Sequence, residues 1–303
     1  AIEACGALIA DPNHAEWVRK HWGADYLTRE NAFYRMMLIG GLSTYQQLSR
    51  NAQYEPIIRS QVDSLTAELD ARPSGLLDDY PGECYPGDVM AAVYAIQQAD
   101  ALLHTDHSAF VARMRRAFVG ERETQLGVPP FWADAGSGTP IEPTRGSSNS
   151  YMCLTAPYLW PEDARRWYGV HARHFWQESS LFAGFREFAA NDERLDTHIA
   201  DMDSGPILLG YSFAATAFGV GAAITNGDLD RGGKLLAEAL PSAWPLPNGT
   251  LLLPRVLSDA IDAPYLGEAC LLYALTRTPA PGVVTTPPAA HWPGLVYGLV
   301  AGY

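Results

Sequence analysis

Apolar positions recur at helical spacing over most of this chain. In residues 30–49 they fall at Phe33, Met37, Leu38, Leu42, Tyr45 and Leu48, close to a 3.6-residue period, which predicts an amphipathic helix. Residues 56–69 repeat the pattern through Ile57, Ile58, Val62, Leu65 and Leu69. Residues 88–104 carry it through Val89, Ala92, Val93, Ile96, Ala99, Leu102 and Leu103. Pro161-Glu162-Asp163 reads as a helix start, with proline where no N–H is needed and acids at the positive dipole end. That helix is expected to run to residue 177. Residues 204–225 and 229–240 form a further pair split by the turn Asn226-Gly227-Asp228, and residues 260–275 another helix. Only 250–253 and 283–286 read as short strands, both bordered by proline.

The helices come in pairs, joined alternately by tight turns and by long Gly/Pro/Tyr-rich loops at 73–87, 128–149, 188–205 and 244–259. The expected fold class is all-α: an α/α toroid, a barrel of five or six helical hairpins with its long loops at one end. A rigid scaffold of that kind presents its functional groups on those loops. Residues 1–277 read as one barrel domain and residues 278–303 as a Pro-rich strap followed by an apolar segment. From Trp292 that segment suits either a core helix or the start of a membrane span, which needs about 20 apolar residues.

Composition excludes several classes. The 303 residues are 48% hydrophobic and 18% charged, enough apolar material for a sizeable core and too few charges for a disordered chain. Thirty-four acids against 21 Lys+Arg give a net charge of −13, which argues against nucleic acid as a partner. The four cysteines, Cys5, Cys84, Cys153 and Cys270, form no CxxC pair, so zinc-ribbon and thioredoxin readings fail and buried thiols are expected. His171 and His174 are three residues apart on a helix and read as a solvated face rather than a metal pair. No GxSxG, Walker A or HExxH occurs, so neither a metal nor a cofactor is expected. Asn248-Gly249-Thr250 is a glycosylation sequon, relevant only in a secretory context.

Candidate chemistry concentrates in three segments. The loop 78–88 holds four carboxylates, one thiol and two Tyr-Pro steps, with Pro and Gly to fix its backbone. Asp88 has an ordinary role as a helix N-cap, but Glu83 and Cys84 do not. A thiol beside acids has its pKa raised, which favours the proton-donating form. In the second segment, 201–206, Asp203 or Ser204 can cap the following helix, leaving Asp201 as the surplus acid. Two carboxylates from separate loops would suit general acid–base work or glycoside hydrolysis. The third, Arg145-Gly146-Ser147-Ser148-Asn149-Ser150-Tyr151, offers a cation and several hydrogen-bond donors before a helix, as capping or as a substrate clamp. Six of the 34 acids fall within 78–88 and 201–203, so the acid surplus is partly local.

Three stretches together resemble the linalool dehydratase/isomerase-like domain family, an all-helical α/α barrel. They are the long helix with Tyr34, Leu38, Tyr45 and Gln46 ahead of Tyr54-Glu55; the Cys84-Tyr85-Pro86 turn leading to Leu103-His104-Thr105-Asp106; and Asp201-Met202-Asp203-Ser204-Gly205 before a small-residue helix ending near Asn226-Gly227-Asp228. The resemblance spans residues 17 to 277. It implies acid–base chemistry on a terpene alcohol and likens Cys84 to the family's first cysteine. No cysteine lies on the following helix to match the second, and Met37 stands about where the family has its histidine. Tyr151 resembles a substrate-facing tyrosine.

The resulting expectation is an enzyme, a lyase or isomerase acting on a small hydroxylated substrate. Glu83, Cys84, Asp88 and Asp201 would be its catalytic groups, and Tyr85, Asp203, Arg145, Asn149, Tyr151 and Met37 its substrate-binding groups. The alternatives are a glycan-active hydrolase with Glu83 and Asp201 as its paired carboxylates, and a non-catalytic barrel module of a larger membrane protein. Expected partners are a small molecule or glycan and a second copy of the chain. The expected location is extracytoplasmic, with any membrane attachment through segments outside this chain.

Overall fold

The computed structural model describes residues 2–196, 199–201, 203–242 and 266–302. These residues are mostly helical, with twelve α-helices and three small antiparallel sheets. They divide into two compact units, Ala1–Pro143 and Thr144–Tyr303. The division falls inside the stretch read from sequence as one domain, and the 278–303 strap belongs to the second unit.

The first unit contains α1 (Ile2–Ala10), α2 (Glu16–Trp22), α3 (Ala32–Ser49), α4 (Glu55–Ala71), α5 (Pro86–Leu103) and α6 (Ser108–Met114). The short pair β1 (Trp132–Ala133) and β2 (Pro140–Glu142) follows. Helix α3 is its centre and packs on α5, α1 and α4. The helical period explains this: Leu38, Ile39 and Leu42 of α3, Ile58, Leu65 and Leu69 of α4, and Val89, Val93 and Ile96 of α5 are all buried. Each such side chain contributes about 1.5–3 kcal/mol by leaving water. Helices α3 and α5 end at left-handed residues, Arg50 and His104, whose N–H groups bond back to Gln46 and Asp100.

One charge sits inside this packing. Arg35 is fully buried, yet every face of its guanidinium is met. Its Nη1 donates to Glu68 Oε2 at 2.6 Å and to the Glu30 carbonyl at 3.0 Å, Nε to Gln61 at 3.1 Å, and Nη2 to Ser64 at 2.9 Å. Glu68 also accepts from the Glu30 backbone N–H, and the Glu30 carboxylate pairs with Arg72. This network fastens α3 to α4, because one side chain of α3 donates to Gln61, Ser64 and Glu68 along α4.

The second unit contains α7 (Gly146–Leu159), α8 (Pro161–His174), α9 (Phe213–Thr225), α10 (Leu229–Ser242), α11 (Leu266–Leu275) and α12 (Gly294–Gly302). Helix α9 is central and packs on α7, α10 and α11. Its small buried residues, among them Gly219, Gly221, Ala222 and Ala223, permit that closeness. Gly146 is the tightest point: a Cβ there would collide with the Arg186 carbonyl. Strands β3 (Trp176–Glu178) and β4 (Ala183–Phe185) pair as one hairpin, and β5 (Ala200–Asp201), β6 (Gly205–Leu208) and β7 (Tyr211–Ser212) form a three-stranded sheet.

Several expectations need correction. Helix α8 stops at His174 instead of continuing to 177, because Trp176, Gln177 and Glu178 bond across to Phe185, Gly184 and Ala183. The helix expected from 204 starts at Phe213. Gly205, Pro206 and Gly210 disfavour helix before it, and the Ser212 hydroxyl caps it by accepting from Ala215 N–H at 3.1 Å. Residues 283–286 form no strand. They tie down the α9–α10 turn, with Thr286 N–H donating to the Gly227 carbonyl at 2.8 Å and its hydroxyl accepting from Leu229 N–H at 3.0 Å. The strand expected at 250–253, the loop 244–259, the sequon and the start of the helix expected from 260 lie outside the described residues. No described helix is long and apolar enough to cross a membrane. The apolar C-terminal run folds as the nine-residue α12, which packs on α10.

The buried pair gives a test of the first unit. Arg35→Met should lower unfolding stability by about 3–5 kcal/mol, the usual result of leaving a buried charge unpaired. Glu68→Leu should act in the same direction, and the double variant should be more stable than the two single losses sum to. Urea denaturation midpoints measure this. Additive losses would show that the pair is not coupled.

Candidate functional site

The loop 78–88 lies in the first unit and is built from the backbone outward. Pro81 and Gly82 occupy the middle of a tight turn in which Glu83 N–H bonds to the Tyr80 carbonyl at 2.8 Å. Gly82 has φ +83°, the left-handed conformation that the third position of such a turn demands. The Asp78 carboxylate accepts from Gly82 N–H at 2.8 Å and secures the turn. Beyond it, the Cys84 carbonyl accepts from Ala133 N–H at 3.0 Å, joining the loop to β1.

Asp79 holds the assembly together. It is buried, and its two carboxylate oxygens serve two helix N-termini. Oδ1 accepts from Phe33 N–H, in the first turn of α3, at 2.9 Å; Oδ2 accepts from Tyr85 N–H, at the cap position of α5, at 2.8 Å. Its backbone N–H donates to the Glu83 carbonyl and its carbonyl accepts from the Trp22 indole at 3.2 Å. Asp88 is therefore not the cap of α5. It lies inside the first turn, where a carboxylate still favours the helix dipole. The group that the sequence reading missed is Asp79. It stood in the same acid-rich loop, but nothing in its spacing separates it from Asp78.

The electrostatics follow from burial. Removal from water pushes the Cys84 thiol well above its ordinary pKa, and Asp79, Asp78, Asp88 and Asp134 add to the rise. Burial, reinforced by Asp88, likewise raises Asp79 against the two backbone N–H groups that favour its anion. Both groups are thereby shifted towards their protonated forms. Glu83 and Tyr85 form its outer layer: the Tyr85 hydroxyl donates to Glu83 Oε2 at 2.9 Å, and the Tyr85 ring lies 5.1 Å from Phe131. Glu83 is exposed and Cys84 is completely buried beneath it. Met37 is on α3 and 46% exposed.

The remaining candidates lie in the second unit. Arg145 is buried between two carboxylates, with Nε donating to Glu187 at 2.7 Å and Nη2 to Asp201 at 2.5 Å. Glu187 is fully buried and also accepts from the Ser147 hydroxyl at 2.8 Å and the Ser147 N–H at 3.1 Å, so it caps α7. Asp201 Oδ1 orders the following turn by accepting from Ser204 N–H at 2.7 Å and Asp203 N–H at 3.1 Å. Asp203 and Ser204 belong to this turn; the side-chain cap of α9 is Ser212, while the Ser204 carbonyl accepts from Ala214 N–H, in the first turn of α9, at 3.1 Å. Partial burial would raise the Asp201 pKa, but the Ser204 N–H and the Arg145 guanidinium outweigh it and hold the group at about 2. Asp201 is accordingly a fixed anion and a poor proton donor. The Asn149 amide donates to Thr144, and the Tyr151 ring packs 5.1 Å from Phe218. Glu187 carried no sequence signal, being one acid in a Phe-Arg-Glu-Phe run.

His171 corrects the expectation of a solvated face. It is fully buried and stacked on Phe185 with ring centroids 4.3 Å apart. The Ser150 hydroxyl donates to the Ala215 carbonyl at 2.7 Å, so at 3.0 Å it accepts from His171 Nε2–H. Burial, helped by Arg231, lowers the imidazole pKa to about 3. The expectation of buried thiols holds for Cys84 and Cys153, whereas Cys5 is exposed and Cys270 half-buried. Among the described residues no group of His, Cys, Asp and Glu could hold a metal ion. Comparison with known proteins finds no matching family model and no matching curated protein.

Two measurements check this description. His171 is neutral in the fold but titrates near 6.5 once unfolded. Its stabilising effect is therefore complete above pH 6.5 and is lost as pH falls from there towards 3. The unfolding temperature should decline across that window, and His171→Phe should flatten the decline. Iodoacetamide should modify Cys5 well before Cys84 in the folded protein. Equal rates would contradict the burial of Cys84.

Proposed function

We infer that the chain is an acid–base enzyme of the linalool dehydratase/isomerase-like barrel type, a lyase or isomerase acting on a small hydroxylated substrate. One observation carries this reading: a loop fixed between two helix N-termini holds a buried thiol, Cys84, and a buried carboxyl, Asp79, both shifted towards the protonated form, in the same short segment as the hydrogen-bonded Glu83–Tyr85 pair. Loss of a hydroxyl needs a proton delivered to the leaving oxygen and another removed from carbon. Glu83 is exposed, with the Tyr85 hydroxyl orienting its carboxyl, so its placement suits the proton-removing step. The buried acidic groups behind it suit proton storage. An α/α toroid of five or six hairpins, with this loop at the end where long loops gather, is part of the same proposal.

The glycan-hydrolase alternative is less well supported. Its acid must hold a proton at working pH, which requires a raised pKa. Asp201, tied to Arg145, is displaced in the opposite direction.

The test is turnover of a panel of short allylic and tertiary alcohols, read as alkene or rearranged alcohol and as deuterium uptake from heavy water. The wild-type chain should turn over at least one member, Glu83→Gln and Cys84→Ala should each lose activity by about 100-fold or more, and Asp201→Asn should retain more than either. Full activity in both of the first two variants would sink the proposal.

A further inference from the structure

The segment 14–22 is unlike the rest of an acidic chain. In nine residues it holds His14, Arg19, Lys20, His21, Trp17 and Trp22 against a single acid, Glu16. It folds as a 3-10 turn (Pro12–Ala15) running into α2. Its outward side borders an open depression of about 660 Å³ lined by Asn13, His14, Glu16, Trp17, Arg19 and Lys20. It is open to solvent, so it offers one face to a ligand and does not enclose it.

Two features of the lining point to an occupant. Trp17 is 42% exposed, yet its ring makes edge contacts to Phe33 at 6.5 Å and to Tyr34 at 6.0 Å between centroids. The unit therefore keeps a rigid apolar platform facing water, a costly use of the largest side chain. Beside it, Arg19 and Lys20 are exposed and make no ion pair with any described residue. The nearby Asp11 is already engaged, accepting from Asn13 N–H at 2.9 Å. Cations in the last turn of α2 complement its dipole. That accounts for their presence on the helix but not for the bare Trp17 ring next to them.

We propose that this face of α2 is a binding site for a small anionic molecule with a flat apolar body, such as an aryl phosphate or carboxylate. The ring of the ligand stacks on Trp17, and its anionic group takes charge-assisted hydrogen bonds from Arg19 and Lys20, with Asn13 and His14 as further donors. Glu16 faces the same depression and disfavours ligands carrying more negative charge than these cations neutralise. The site does not depend on the reaction assigned to the loop at 78–88, although α2 touches that loop through Trp22 and His21.

The experiment is an NMR titration of the full chain with phenyl phosphate, inorganic phosphate and phenol, following the Trp17 indole N–H signal, which is identified from its loss in Trp17→Phe. Phenyl phosphate should produce a saturable shift, with each fragment binding about tenfold or more weakly. Arg19→Glu/Lys20→Glu is a surface change expected to leave the fold intact, as judged by its unfolding temperature, and should abolish phosphate-dependent binding. Rising salt should weaken the wild-type interaction. No saturable shift, equal binding of phosphate and phenyl phosphate, or unchanged binding in the double variant would each overturn the proposal.

Discussion

A buried carboxylate at a helix N-terminus is the constraint on which both units depend. The first backbone N–H groups of a helix have no partner within it, and leaving them unmet inside a core is costly. In the first unit Asp79 meets this requirement for α3 and α5 at once, through Phe33 N–H and Tyr85 N–H. One side chain thereby sets the distance between two helix starts and fixes the loop joining them to Trp22 and Glu83. In the second unit Glu187 does the same for α7 through Ser147, and Arg145 balances its charge.

This constraint shapes the chemistry available. Carboxylates that serve the fold lose water, and burial raises their pKa unless nearby charge and hydrogen bonds outweigh it; for fully buried Glu187 burial wins even with Arg145 alongside. For Asp79 burial and the neighbouring Asp88 prevail, and Cys84 is shifted in the same direction. Asp201 has Arg145, so it remains an anion. Two acid-rich segments of similar appearance in sequence thus acquire opposite proton behaviour. Arg35 illustrates the complementary case: a buried cation retained by four acceptors, where it joins α3 to α4 instead of contacting solvent.

Helices with strong apolar periodicity were legible. Those expected at 30–49, 56–69, 88–104 and 229–240 correspond to α3, α4, α5 and α10, with ends displaced by about two residues. Short elements were not. The strands at 176–178, 183–185 and 205–212 are too brief for a two-residue alternation to register, and each exists because a partner strand is alongside it. The loop 78–88 was recognisable as the richest segment for chemistry through its residue types. Which of its acids is interior was not, since Asp78 and Asp79 are neighbours of identical chemistry and only the position of α3 selects the second. His171 was misread for a related reason. Its flanking Arg173 suggested a wet face, whereas Phe185 and Ser150 approach from distant parts of the chain and enclose it.

Periodicity, composition and turn residues determined that this chain is largely helical, where its principal helices lie, and which loop concentrates acids and a thiol. Those properties depend on neighbours a few residues apart, within reach of the covalent backbone. Packing of distant segments decided the rest: the division at residue 143, the burial of Asp79, Glu187 and His171, and the pairing of Arg145 with Asp201. A carboxyl group's proton affinity is set by the water and charge within a few ångströms of it. Those surroundings come from residues 40 to 60 positions away, such as Asp201 beside Arg145, and exist only after the chain has folded.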